Sequence, residues 1–498
     1  MKFRKFIRPI LWSAFLFLSF LALSAALWYM RKYGDTGFMS ILSTFLSPWN
    51  GCANSLKESF ICYALLPTVG ISGAVGLFLL NQKYGKLRIK GKQIYPFSQK
   101  WSNRLFLLLS VASLVTAACL IHFPRYVYDS FFTHSRIYEE EYRAPADVEI
   151  TFPEKKRNLI YIYLESMESS FFSKELGGGC EENLIPELYE LARENVNFSH
   201  NDGVGGFPRT THATWTSAAM VSQTAGVPLT IDIAGIDLTE FKGYLPGATT
   251  LQDILREEGY YQTLMVGSDA SFGGRREYYE QHGADHVYDL YTAREDGLIP
   301  SDYMVWWGFE DAKLFAYAKE ELKKISAGEQ PFAFTLLTVD THHIDGYSCE
   351  YCPSHHKEQY ENVLSCSSRQ VLEFVRWLQE QEFYDNTTVI ISGDHPSMDQ
   401  QYFARNVDSD YTRHSYNCIL NSAVEPKNAK NRDFTPMDMF PTTLAAMGCS
   451  IEGERLGLGT NLFSDLPTLS EEMGVEALNR ELSKRSDFYN NELIEDET

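Results

Sequence analysis

The run Arg209–Pro228 sets several hydroxyls at the junction of a Gly-rich loop, Gly203–Pro208, and a stretch that reads as an apolar helix. A Thr at a helix start meets unpaired backbone N–H groups and the positive end of the helix dipole. An alkoxide or a phosphate ester is stabilised there. Taken alone, Thr210, Thr211, Thr214 and Thr216 read as caps and loop residues. Other parts of the chain give them chemistry. Glu165 and the pair Asp394-His395 each follow an apolar run, and so do Asp340-Thr341-His342-His343 and Gly267-Ser268-Asp269. Two bare carboxylates about 4 Å apart repel by about 4 kcal/mol at an effective dielectric of about 20. A divalent cation reverses that sign. Carboxylate, imidazole and hydroxyl ligands together suit Mn²⁺, Mg²⁺ or Zn²⁺. Such an ion would acidify a Thr hydroxyl, as it takes bound water from a pKa of about 15.7 to about 7.

These residues need a scaffold that brings them to one edge. Asn158-Leu-Ile-Tyr-Ile-Tyr-Leu164 is a continuous apolar run, as a strand buried on both faces reads. Similar runs are Gln262–Val266, Phe332–Val339 and Thr388–Ser392. Helical patterns at Pro186–Asn195, Thr250–Glu258, Phe309–Ile325 and Ser367–Gln381 separate them. The alternation predicts an α/β fold with a mostly parallel central sheet flanked by helices. In such sheets functional groups collect beyond the carboxyl ends of the strands.

Before this pattern lie three apolar runs near the ~20 residues a membrane span needs: Phe6–Met30, Phe60–Leu80 and Leu105–Phe123. The first is too long for a signal-peptide core, and Trp28 and Tyr29 follow where a small-residue cleavage site would lie. Lys2, Arg4, Lys5 and Arg8 precede the first run; Lys83, Lys86, Arg88, Lys90, Lys92, Lys100 and Arg104 separate the second from the third. This basic bias predicts a multi-pass inner-membrane protein whose remaining chain is extracytoplasmic. Gly37–Trp49 reads as an interfacial or re-entrant segment. The expected organisation is a membrane domain over 1–124, a juxtamembrane connector over 125–154, a catalytic domain over 155–465 and a charged, partly helical, peripheral tail over 466–498.

A formal net charge of −21 excludes nucleic acid as a partner. It also offers no long-range attraction to an anionic lipid, so local cations or a metal must hold such a substrate. Nine cysteines leave at least one unpaired, with Cys119 inside the third run as the expected free thiol. Cys52 and Cys62 are a candidate pair. Cys349-x-x-Cys352 suggests zinc or redox chemistry, but no second pair follows at finger spacing. For an outward domain, a disulfide between Cys366 and one of these two is the expectation.

Four segments carry a family resemblance: Lys155–Glu168 (KKRNLIYIYLESME), Thr214–Leu229 (TWTSAAMVSQTAGVPL), Thr338–Gly346 (TVDTHHIDG) and Ser392–His395 (SGDH). Over roughly Tyr142–Phe463 the chain resembles the membrane-anchored phosphoglycerol transferases, which include the lipoteichoic acid synthases and the glucan-modifying enzymes. These belong to the sulfatase and alkaline phosphatase superfamily. Trp-Thr followed by Met-Val, Gln, Gly and Pro-Leu, with Asp-Thr-His-His, is closer to the glucan-modifying branch. The resemblance implies a sulfatase-like domain with Thr216 as nucleophile and Glu165, Thr216, Asp394 and His395 as ligands of one divalent ion, Mn²⁺ with Mg²⁺ or Zn²⁺ as alternatives. Arg275 would hold the glycerol phosphate, with His342 near the phosphate and Arg276 as the alternative clamp. Gly273 departs from a Trp of the lipoteichoic acid synthases, which bears on the glycerol pocket and acceptor. The implied reaction moves phosphoglycerol from phosphatidylglycerol in the bilayer to a glycan or teichoic acid acceptor through a covalent threonine ester. Phosphoethanolamine transfer, another sulfatase-fold phosphodiesterase activity, or a non-catalytic membrane-tethered binding role are the alternatives. The Cys/Ser-x-Pro-x-Arg that a sulfatase needs is missing from Arg209–Pro228, so sulfate-ester hydrolysis is not expected. Asp438, before Pro441, reads as a helix cap.

Overall fold

The computed structural model describes residues 4–34, 38, 40–42, 54–81, 87–89, 92–94, 99–230 and 244–494. Most of the expected interfacial segment at 37–49 lies outside the described residues, as do Cys52, Lys2, Lys83, Lys86 and Lys90. The chain forms two compact units: Met1–Phe38 with Cys52–Tyr128, and Met39–Gly51 with Asp129–Thr498.

In the first unit, Ile10–Tyr33 and Leu56–Val75 are helices long and apolar enough to cross a membrane. Arg104–Leu120 and Phe123–Phe132 pass that test only as a pair, bent by 68°. The bend falls where His122 takes a left-handed conformation and Pro124 opens the next helix without an N–H. The expected third span thus falls on a helix pair bent at its break, the geometry of a broken span or of a re-entrant loop.

The second unit is built on a seven-stranded sheet. In chain order the strands are β1 (Asn158–Leu164), β2 (Gly206–Pro208), β3 (Tyr261–Val266), β4 (His286–Tyr288), β5 (Phe332–Leu337), β6 (Thr387–Gly393) and β7 (His414–Leu420). Their spatial order is β2-β7-β6-β1-β5-β3-β4. The five strands from β6 to β4 are parallel, while β7 runs antiparallel to β6 and β2 antiparallel to β7. Every residue of β1 is buried, as its unbroken apolar run requires. The sheet is thus mostly parallel, with an antiparallel edge that the sequence hid. In β7, His414, Ser415 and Asn417 break the apolar run. Asn417 is nevertheless satisfied indoors: its Oδ1 accepts from Phe198 N at 3.0 Å and its Nδ2 donates to Phe198 O at 2.8 Å.

The helices that matter for the site are α1 (Thr216–Ala225), α2 (Arg275–Gln281), α3 (Asp311–Ile325) and α4 (Gln359–Gln379). α4 begins eight residues before the expected Ser367. A capping box of Glu358 and Glu361 starts it, inside a polar stretch that reads as loop. Cys366 consequently lies on a helix.

The tail is not peripheral. Leu478, Leu482, Tyr489 and Leu493 are buried. Tyr489 Oη donates to Pro228 O at 2.7 Å and accepts from Thr230 N at 3.0 Å, just past the end of α1. Asn479 Oδ1 accepts from Thr211 N at 2.6 Å, just before α1. The expected connector joins this packing, with Tyr138 buried against the rings of Phe488 and Tyr489.

Candidate active site

Register decides which residues meet. Leu164 of β1 pairs with Gly393 of β6, and Tyr163 with Leu337 of β5. Glu165, Asp394 and Thr338 therefore leave the sheet at one level. Thr338 Oγ1 accepts from Glu165 N at 3.0 Å, and Leu164 O accepts from Asp394 N at 3.3 Å. Gly393 is required here: a Cβ would lie 1.9 Å from Met167 O, which crosses against the strand end.

α1 brings Thr216 to this edge. All its residues from Ser217 to Ala225 are buried. Gln223, two turns beyond Thr216 and on the same helix face, accepts from Tyr161 Oη of β1 at 2.7 Å and donates to Gly393 O at 3.5 Å. Thr216 is the first residue of the helix, and Trp215 contributes no side-chain cap. The first N–H groups therefore find no partner within the helix.

Glu165, Asp394 and His395 each offer a ligand atom, all within 4.8 Å of one another, and all three residues are buried. Asp394 Oδ1 accepts from the backbone N–H groups of Ser166 and His395, each at 2.7 Å. Its Oδ2 is buried without a hydrogen bond, although His395 Nε2 lies 3.3 Å away. His395 Nδ1 lies 3.0 Å from Pro396 O, which can only accept, so Nδ1 carries a proton. Glu165 Oε1 accepts from Ser166 Oγ at 2.7 Å and its Oε2 from Thr216 Oγ1 at 3.0 Å; Thr216 Oγ1 is also 3.5 Å from His395 Nε2. Oxygen and nitrogen atoms from three buried side chains thus converge on one point. Burial, then the Glu165 charge, pushes the Asp394 carboxyl well above its usual range. Burial pushes Glu165 up too, but His342, His395 and two hydroxyls outweigh it and hold Glu165 below its usual range. This buried set of carboxylate, imidazole and hydroxyl groups fits a divalent cation.

Arg275 and His342 stand beside this cluster. Arg275 is buried, and its Nη2 donates to Ser268 Oγ at 3.2 Å and Asp269 O at 2.7 Å. Its Nε has no partner. Burial lowers its pKa, opposed first by the charge of Glu165 and also by that of Asp394. His342 Nδ1 donates to His343 O at 2.8 Å, leaving a lone pair on Nε2. Burial lowers the His342 pKa as well, so it stays neutral near pH 7. Other candidates are spent elsewhere. Arg276 is paired with Glu280 and Asp289. Asp269 takes the N–H of Ser271 in its own turn. Asp340 Oδ2 accepts from Asp311 N, facing that residue. Asp438 closes a capping box with Thr435.

Two contributors escaped the sequence reading. Trp307 lies with its ring 4.5 Å from that of His342 and 5.3 Å from that of Phe272, and its buried Nε1 has no partner. The doublet Trp306-Trp307 was its only signal. Gly273 fits beside it: its φ is +70°, and a Cβ there would lie 2.5 Å from Ser217 Oγ, next to Thr216. The second contributor is Arg413. It forms a two-pronged pair with the fully buried Glu168 and donates to Ser397 O at 2.7 Å, while Glu168 Oε1 accepts from Ser397 N at 2.7 Å. This clip ties the loop after Glu165 to the loop after His395. Arg413→Ala is expected to cost about 3–5 kcal/mol, because it strands a buried carboxylate. Thermal melts of the purified protein check this, and an unchanged midpoint would remove the clip from the account.

The profile of the sulfatase family matches residues 157–449. Phosphoglycerol transferase I of Salmonella paratyphi B is 28% identical over 361 residues, covering 69% of this chain and 44% of the relative. The chain thus spans less than half the length of that relative. Among solved structures, a protein of the alkaline phosphatase superfamily from Vibrio parahaemolyticus superposes with a TM-score of 0.50 at 22% identity, covering 64% of this chain and 72% of that one. Lipooligosaccharide phosphoethanolamine transferase A of Neisseria meningitidis, an integral membrane protein, gives a TM-score of 0.50 at 14% identity, covering 89% and 85%. The two superpositions speak for the fold alone.

Proposed function

Because the chain belongs to the sulfatase family, we propose that it is a membrane-anchored transferase that moves phosphoglycerol from phosphatidylglycerol to an extracytoplasmic glycan or teichoic acid. One observation carries this reading: a helix-terminal hydroxyl, Thr216 Oγ1, lies 3.0 Å from Glu165 Oε2 at the rim of three converging lone-pair donors. Glu165, Thr216, Asp394 and His395 would hold one divalent ion, Mn²⁺, Mg²⁺ or Zn²⁺. When bound, such an ion supplies Lewis acidity that acidifies a hydroxyl and offsets phosphoryl charge.

The chain's own residues do the rest. Thr216 Oγ1 forms a bond to phosphorus, and the bond from phosphorus to the diacylglycerol oxygen breaks. The proton released by Thr216 neutralises the departing oxygen. Arg275 sets its guanidinium, with an unsatisfied Nε–H, against the phosphoryl oxygens. Trp307 Nε1–H is a second buried donor in want of an acceptor. His342 is neutral with its lone pair on Nε2, so it suits accepting the proton of the incoming glycan hydroxyl as that oxygen displaces Thr216. The apolar helices keep the enzyme on the bilayer that holds its donor. Lipid chains resist extraction at about 0.8 kcal/mol per CH₂.

The test is incubation of the full-length protein in vesicles with headgroup-labelled phosphatidylglycerol, with and without candidate glycans. Label is expected first on the peptide bearing Thr216, as a phosphoglycerol adduct, and then on the glycan. An adduct formed only from phosphatidylethanolamine would reassign the headgroup. Label that never leaves the lipid would end the transferase reading.

A further inference from the structure

A second cluster of ligating side chains lies outside the site described above. Cys349 and Cys352 sit on the loop between β5 and α4, and Cys366 lies on α4 itself. Cys349 Sγ is 3.6 Å from Cys352 Sγ and 3.7 Å from Cys366 Sγ, and all three sulfurs fall within 4.8 Å of one another. No pair is bonded, so the disulfide expected from the sequence is not formed.

The spacing is informative. A disulfide brings sulfurs to about 2.05 Å. A tetrahedral ion with metal–sulfur bonds of about 2.3 Å holds them about 3.8 Å apart. The observed separations match the second geometry. The loop is also shaped for it. Cys352 N donates to Cys349 O at 3.1 Å, closing a tight turn beside the sulfur. Gln370 Nε2 donates to Cys366 Sγ at 3.3 Å, and Arg369 Nη2 lies 3.9 Å from the same atom. Among the described residues no carboxylate joins the cluster.

We propose that Cys349, Cys352 and Cys366 bind a soft divalent cation of the zinc type as a structural site, distinct from the oxygen- and nitrogen-lined cluster at Thr216. Binding displaces the thiol protons and leaves the ion with three sulfur ligands. The fourth comes from water or from His355, which is exposed and follows Cys352 by three residues. His356 is engaged with Ser365 Oγ at 3.1 Å. The consequence is positional. The loop this site clamps to α4 also carries His342, so the sulfur site fixes the span from the end of β5 to the start of α4. The two sites select different ions by ligand softness.

The experiment uses the full-length protein in detergent, purified without chelator or reductant. Cysteines are counted by alkylation after denaturation, and the protein is titrated with Co²⁺. All three cysteines are expected to alkylate. Co²⁺ is expected to produce an intense sulfur-to-metal charge-transfer band that one equivalent of Zn²⁺ abolishes. The band should persist in Asp394→Asn and fall to baseline in Cys366→Ser and Cys352→Ser. Should either Cys variant misfold by circular dichroism, the wild-type protein still decides the matter. A disulfide between any two of the three in non-reducing peptide maps overturns the proposal. So does a wild-type Co²⁺ spectrum without the band.

Discussion

Thr216→Ala is expected to lower headgroup transfer by roughly 10⁴-fold or more, the scale on which removal of an enzyme nucleophile acts. Diacylglycerol release from phosphatidylglycerol and intact-mass detection of the adduct measure it. The Cβ and helix position of Thr216 survive in Ala, so the fold should persist; the γ-methyl, the hydrogen bond to Glu165 Oε2 and the 3.5 Å contact with His395 Nε2 are lost. Thr216→Ser keeps the hydroxyl and should keep the adduct at reduced rate. Turnover in Thr216→Ala at a tenth of wild type would exclude Thr216 as the attacking group, whatever its surroundings.

Asp394→Asn has the second largest expected effect, and its two readouts move in opposite directions. The Asn carbonyl can still accept from Ser166 N and His395 N, which now bond Asp394 Oδ1. Its amide replaces the orphaned, buried Oδ2. Asp394 has a raised pKa in the fold, caused first by burial and then by Glu165. Its protonated form is thus favoured by folding. Stability from this group is full below the unfolded pKa and is lost as pH rises, by at most about 1.4 kcal/mol per unit. In EDTA the variant should therefore melt at or above the wild type, and its advantage should grow with pH. With metal the order reverses. An ion at 100 times its Kd stabilises the wild type by about 2.7 kcal/mol, while the variant should gain little and turn over at a thousandth of the wild-type rate or less. Melting curves with EDTA or Mn²⁺, taken from about pH 5 to about pH 8, separate the effects. A metal-induced shift of wild-type size in Asp394→Asn would show that the ion binds elsewhere.

Much of this domain was readable because its core strands obey one rule. β1 and β6 are buried along their whole length, and their centres are apolar because both faces are covered. The candidate ligands sit immediately after them, where the sequence changes character at Glu165 and Asp394. β7 was not readable, because Asn417 and its neighbours are satisfied by a distant segment around Phe198. The site divides along the same line. Residues next to strand ends could be placed from the chain alone. Arg413 could not, since its partner Glu168 lies 245 residues away and an isolated Arg looks like surface. The start of α4 was misplaced by its polar first turns, which put Cys366 in a loop on paper and on a helix in space.

The grip of Asn479 and Tyr489 on both flanks of α1 bears on biosynthesis. The segment carrying Thr216 is translated long before the residues that pin it. A nascent chain that has emerged only through α4 still lacks the candidate ligands Asp394 and His395, and the helix bearing Thr216 is still unfastened at both ends. The domain therefore matures late, after these final contacts close. A fusion or truncation that disturbs residues 478–493 should cost catalysis even though it is far away along the chain.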